Sequence, residues 1–139
     1  MSSMLDVGLA IIRGERATFP VATLIGLVFA ELEPGRAVFR LDVGERHHNP
    51  MGTLHGGVMT DLADSAMGWA FAATMADGEA FTTVELKVNF LRAVRAGLLT
   101  AEAKLVKGGS TIGYVECEVK DDQGRLVAKA ASTCLKLRR

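Results

Sequence analysis

One segment, Val58–Met75, decides what the rest of this 139-residue chain has to do. Within it Val58, Met59, Leu62, Ala63, Ala66, Trp69, Ala70 and Ala73 recur at helical spacing, and little of the helix surface is left polar. A helix that is apolar nearly all round is a buried one, so the remaining elements must wrap it. Asp77-Gly78 ends the segment. Four runs with period-two patterns follow it, as half-buried strands do. In Phe81–Leu91 the alternating apolar set is Val84, Leu86, Val88 and Phe90, and in Leu98–Val106 it is Leu99, Ala101, Ala103 and Leu105. In Thr111–Lys120 the set is Val115, Cys117 and Val119, and in Arg125–Leu137 it is Val127, Ala131, Thr133, Leu135 and Leu137.

The connectors Arg95-Ala96-Gly97, Lys107-Gly108-Gly109-Ser110 and Asp121-Asp122-Gln123-Gly124 supply the Gly and Asp of tight antiparallel turns. Upstream, Val21–Glu33 favours strand, Glu33-Pro34-Gly35-Arg36 is a turn and Ala37–Val43 alternates, which together predict a hairpin. Leu5, Leu9 and Ile12 predict a short N-terminal helix. The expected architecture is α+β: an antiparallel sheet of about six strands curled around one central helix, as one domain over residues 1–139. One helix cannot cover both faces of such a sheet, so association through sheet edges or faces is expected.

Charge and cysteine content narrow the functions open to the chain. Sixteen Lys plus Arg balance sixteen Asp plus Glu, which argues against a broad nucleic-acid face. The balance hides a division: residues 1–86 hold 5 basic and 11 acidic side chains, and residues 87–139 hold 11 basic and 5 acidic. Cys117 and Cys134 form no C-x-x-C pair, so a reduced, cytoplasmic setting is expected. No apolar run reaches the roughly 18–20 residues of a spanning helix. Asp6 early and Arg13 late reverse the order of a secretory signal. His47, His48 and His55 lack metal-ligand spacing, and no metal is expected.

The candidate chemistry lies in His47-His48-Asn49-Pro50-Met51-Gly52-Thr53-Leu54-His55-Gly56-Gly57 and in the acidic residues of the helix behind it. Gly56-Gly57 opens the helix, where unpaired N–H groups and the positive end of the dipole favour an oxyanion. Asp64 stands among apolar positions, and a carboxylate there must be paired, shifted in pKa or facing a cavity. An N–H donor and a carboxylate together suit attack on a carbonyl. Eight residues separate Gly56 from Asp64, about 12 Å along a helix, so two antiparallel helices at a dimer axis bring them to one carbonyl more readily than one chain does. Asn49 also reads as a turn residue, Asp61 as a structural carboxylate, and Thr83 shares sequence parity with Glu85, Lys87 and Asn89.

Asn49-Pro-Met-Gly-Thr-Leu-His55-Gly56-Gly57, followed by Asp64-Ser65-Ala66, resembles the signature of the hotdog-fold acyl-CoA thioesterases of the PaaI-like branch. Thr82-Thr83-Val84-Glu85-Leu86-Lys87-Val88-Asn89-Phe90-Leu91-Arg92 resembles the strand after the helix in that branch. The resemblance implies hydrolysis of an acyl-CoA to a carboxylic acid and free coenzyme A at a homodimer interface, two dimers pairing into a tetramer. It implies no cofactor beyond the coenzyme A of the substrate. Gly56 would give its N–H to the thioester oxygen, Asn49 would hold the water or the carbonyl edge, and a partner's Asp64 would be base or nucleophile. Thr83 would assist that carboxylate, and His55 would shape the turn or bond near the thioester. Gly57, Arg92, Lys107, Gly108 and Gly109 would bind substrate, the last four near the coenzyme A phosphates. Lys104 joins Arg92 and Lys107 as a candidate for those phosphates. Trp69, Phe71 and Met67 are expected to shape the acyl pocket. The same fold would also allow a non-catalytic acyl-CoA sensor or, with a His/Asp or His/Glu dyad, an enoyl-CoA hydratase.

Overall fold

The computed structural model describes residues 2–137. In chain order the elements are α1 (Met4–Ile12), α2 (Pro20–Ile25), β1 (Val28–Glu33), β2 (Arg36–Val43), a single turn of 3-10 helix (Glu45–His47) and α3 (Gly56–Ala72). Four long strands complete the chain: β3 (Ala80–Phe90), β4 (Gly97–Gly108), β5 (Ile112–Lys120) and β6 (Leu126–Leu137). The six strands form one antiparallel sheet in the order β1-β2-β4-β5-β6-β3. The chain leaves β2, passes along the inner face as α3 and enters β3 at the far edge. No helix among the described residues is long and apolar enough to cross a membrane.

Small residues on the sheet let the helix sit close. Ala101, Ala103, Ala128, Ala130, Cys117, Cys134 and Ser132 are buried on the inner side, against the larger Leu62, Met67 and Phe71. At Gly113 the approach is closest, and any side chain there would overlap the ring of Phe71. The two cysteines are free, and burial pushes the Cys117 thiol up to about 12, which keeps it an unreactive core residue.

Three expectations need correction. Residues 20–25 form a helix, not the start of a strand. Pro20 stands at its first position, where a fixed φ and a missing N–H cost nothing, and Gly26 at φ 91° ends it. In β6 the inward set is Ala128, Ala130, Ser132 and Cys134, not Ala131, Thr133, Leu135 and Leu137. Leu135 pairs with exposed Ile112 and Thr133 with exposed Tyr114 on the outer side. The larger side chains there suggested the wrong face, because the face beneath the helix selects for small size.

The third correction concerns β3. Its pairing with β6 slips between Thr83 and Glu85, so that Val84 is an extra, exposed residue in a β-bulge. Parity reverses across it: Leu86 and Val88 pair with the inward Ser132 and Ala130, and Thr83 pairs with the inward Cys134. Thr83 therefore lies on the opposite face from Glu85, Lys87 and Asn89.

On the outer face opposite charges pair along and across neighbouring strands. Arg36 of β2 reaches Glu102 of β4 at 2.7 Å and Glu31 of β1 at 3.2 Å. Glu102 also meets Lys104 at 3.8 Å, and Glu118 meets Lys129 at 3.8 Å and Lys120 at 4.0 Å. Arg36 lowers the pKa of Glu102, and Glu102 raises that of Arg36.

Candidate active site

The loop before α3 is held by its own polar residues. The buried ring of His47 accepts from the Gly44 N–H at Nδ1 (3.1 Å) and donates from Nε2 to the Ile25 carbonyl (2.7 Å). Nε2 of His48 bonds the Arg95 carbonyl at 2.7 Å, and the Leu54 N–H reaches the Val94 carbonyl at 2.7 Å, which ties the loop to the β3–β4 connection. The side-chain oxygen of Asn49 accepts from the N–H groups of Met51 (2.9 Å) and Thr53 (3.1 Å). Its amide nitrogen donates to Thr53 Oγ1 at 2.9 Å. Asn49 is thus the organiser of its turn, and what it retains for a ligand is one amide hydrogen.

His55 is the N-cap of α3. Its Nδ1 accepts from the Gly57 N–H at 2.9 Å, while the Val58 and Met59 N–H groups turn back to the His55 carbonyl. Of the first-turn donors, that leaves the Gly56 N–H with no acceptor among the described residues. The structure separates the two glycines: Gly57 has its N–H committed to the cap, and Gly56 has its N–H free. A Cβ at 56 would stand 3.2 Å from the ring of the exposed Phe90, close enough that the ring would have to shift to admit it. Gly56 opens into a cavity of about 440 Å³ with Asn49, Thr53, Phe90 and Arg92 in its walls.

Two turns along α3, Asp64 borders a second cavity of about 260 Å³, lined by Met4, Phe19, Ser65, Gly68, Trp69, Ala72, Phe81 and Thr83. The carboxylate is half-buried, and its one side-chain partner among the described residues is the Thr83 hydroxyl, which donates to Oδ1 at 3.4 Å. No Lys, Arg or His among the described residues pairs with it. Burial raises its pKa above the usual aspartate range, the Thr83 bond lowers it and the charge of Asp61 raises it. Asp61 is itself raised by burial and borders neither cavity. A Thr83→Val change removes the one lowering contact. The expected result is an upward move of the acid limb of the pH–rate profile, measured as kcat/KM against pH, with the alkaline side unchanged.

The sequence-predicted residues fall into separate places. Asn49, Gly56 and Arg92 share one cavity, and Asp64 and Thr83 share the other. Lys107, Gly108 and Gly109 lie in the β4–β5 hairpin beside Gly113 and Phe71, near the C-terminal end of α3 and away from Arg92. Lys104 is paired with Glu102 on the outer face. Trp69 does line the Asp64 cavity, whereas Met67 and Phe71 are core residues. Met4, Phe19 and Phe81 line it too, and nothing in their local spacing points there, since they come from three distant elements.

The thioesterase superfamily model matches residues 51–128, which include the start of α3, Asp64 and Thr83. The 1,4-dihydroxy-2-naphthoyl-CoA hydrolase of Listeria monocytogenes is 33% identical over 109 residues, 78% of this chain and 89% of that protein. A Saccharolobus solfataricus protein provisionally named an esterase is 41% identical over 107 residues, 77% of this chain and 76% of its own. Among solved structures, a thioesterase family protein from Silicibacter pomeroyi superposes with a TM-score of 0.85 at 28% identity, covering 95% of this chain and 99% of that one. The PaaI protein of the E. coli phenylacetic acid degradation operon shares the fold, with a TM-score of 0.84 at 24% identity over 97% of this chain and 96% of its own. The wrapped helix, the His-Gly-Gly cap and these matches agree: the chain belongs to the thioesterase superfamily, as a hydrolase with the hotdog fold.

Proposed function

We propose that the chain hydrolyses an acyl-coenzyme A thioester at a site shared between two copies, Gly56 coming from one and Asp64 from the other. One observation carries the reading: the free N–H and the half-buried carboxylate that such a reaction needs open into different cavities of the same chain. A second copy running antiparallel would bring the Gly56 end of one α3 to the Asp64 turn of the other. The exposed apolar side chains of Val84, Phe90 and Leu91 on and beside the edge strand β3 support that pairing.

At such a site the Gly56 N–H, at the positive end of the α3 dipole, stabilises the oxygen that becomes negative as the thioester carbonyl is attacked. Asp64 removes a proton from the attacking water, or attacks directly and is then released by water. Collapse of the tetrahedral intermediate expels the coenzyme A thiolate, which takes up a proton, and leaves the carboxylic acid. Thr83 steadies the carboxylate, and the free amide hydrogen of Asn49 assists at the carbonyl edge. Arg92, in the Gly56 cavity, is the cation best placed for a coenzyme A phosphate. Single-turnover hydrolysis in heavy-oxygen water separates the two roles of Asp64, since only direct attack puts label into its carboxylate.

Mixing two inactive variants tests the shared site. Asp64→Asn and Gly56→Val proteins, mixed and allowed to exchange, should recover about a quarter of wild-type turnover, because a mixed dimer keeps one intact site of two. A mixture no more active than its components, with exchange verified by mass, would sink the shared site. Hydrolysis of acyl-CoA by neither wild type nor mixture would favour the sensor reading.

A further inference from the structure

We propose that α1, through Met4 and with Phe19 behind it, sets the largest acyl group the Asp64 cavity accepts; this rests on the acyl-CoA reading above. The matched family region begins at residue 51, yet two walls of the cavity, Met4 and Phe19, come from upstream of it. These walls come from the N-terminal part of the chain, while the carboxylate they face lies within the matched region.

α1 is held at its start and at its middle. Ser3 and Asp6 form a reciprocal capping box at its start, with the Asp6 N–H on Ser3 Oγ at 3.1 Å and the Ser3 N–H on Asp6 Oδ2 at 3.3 Å. One turn on, Gly8 is buried where a Cβ would overlap Leu32 and stand 3.0 Å from the Trp69 ring. The missing side chain lets the helix backbone rest directly on Trp69. Met4 is four residues before Gly8, so the same face of α1 carries it over the cavity. Phe19 stands behind, 6.5 Å from the Trp69 ring centre and 6.1 Å from that of Phe39. Opposite them the wall is Gly68, where a Cβ would come 3.3 Å from Phe81 and narrow the space. Asp64, Ser65 and Thr83 supply the polar end of the cavity and Met4, Phe19, Trp69, Ala72 and Phe81 the apolar remainder. A ligand with a reacting carbonyl at one end and an apolar tail fits that division, and the tail ends against Met4 and Phe19.

The test is calorimetric titration with non-hydrolysable thioether analogues of butanoyl-, octanoyl- and dodecanoyl-coenzyme A, on wild type, Met4→Ala and Met4→Trp. Met4→Ala should raise the dodecanoyl-to-butanoyl affinity ratio about tenfold, and Met4→Trp should lower it by a similar factor. Phe19→Ala should act in the same direction as Met4→Ala, which guards against a shift peculiar to one variant. Ratios within about twofold of wild type in all three would overturn the assignment. Binding is read without turnover, so the two readings fail separately. Shifted ratios with no hydrolysis of acyl-CoA by wild type would leave the acyl limit standing and remove the hydrolase. Normal hydrolysis with unshifted ratios would do the reverse, and no binding of any analogue would overturn both.

Discussion

Replacing Asp64 by Asn is expected to lower kcat/KM for acyl-CoA hydrolysis by about 10²–10⁴-fold, the usual contribution of a positioned general base. The amide keeps the size of the side chain and can still bond to Thr83, so the loss comes from the proton-accepting charge. The same change should leave the protein as stable as wild type or more so at neutral pH. Asp64 has no cationic partner among the described residues, and burial raises its pKa. A carboxylate whose folded pKa lies above its unfolded value favours the folded state at low pH. That advantage is lost as pH rises from the unfolded pKa to the folded one, and the penalty is complete above it. The stability gap between variant and wild type should therefore be present at neutral pH and close as pH falls through the raised pKa. Denaturant titrations at several pH values measure it. A large loss of stability in Asp64→Asn would show that the carboxylate is structural.

Phe39→Ala is expected to cost about 3–5 kcal/mol, as large aromatic truncations in a packed core do. Phe39 has no exposed surface, stacks on Phe29 with ring centres 4.3 Å apart and meets Phe19 edge-on. Phe29 in turn packs on Trp69 at 4.9 Å, so two walls of the Asp64 cavity are supported from β2. Measured against a total stability of about 5–15 kcal/mol, the loss should lower the melting temperature on the order of 10–20 °C. Thermal unfolding followed by circular dichroism checks this. A shift of only a few degrees would mean that the cluster rearranges to fill the space.

Much of this was legible from the residues alone, for identifiable physical reasons. The helix stood out because Leu62, Ala63, Ala66 and Ala70 mark a long apolar face, although Thr60, Asp61, Asp64 and Ser65 line a partly exposed polar one, and the later strands stood out because turns rich in Gly and Asp punctuate them. Asp64 stood out because a carboxylate among alanines needs an explanation. Other features depended on pairing. Nothing in the β-branched run after Pro20 distinguishes a helical turn from a strand until Gly26 is seen to end it. The inward face of β6 is chosen by the size of what packs on it, so Leu135 and Leu137 pointed the wrong way. That Gly57 is capped while Gly56 is free depends on the rotamer of His55, and the chain order of the two glycines is silent on it.

The bulge at Val84 has a consequence for how this strand can change over time. An uninterrupted β-strand links all its positions through one alternation, so the residues facing the carboxylate and those facing the core would have to sit an even number apart. The extra residue uncouples them. Thr83 can answer to Asp64 while Leu86 and Val88 answer to the sheet interior. Drift on either side of Val84 leaves the other side's facing unaltered, and β3 can be revised as two short segments although it is built as one.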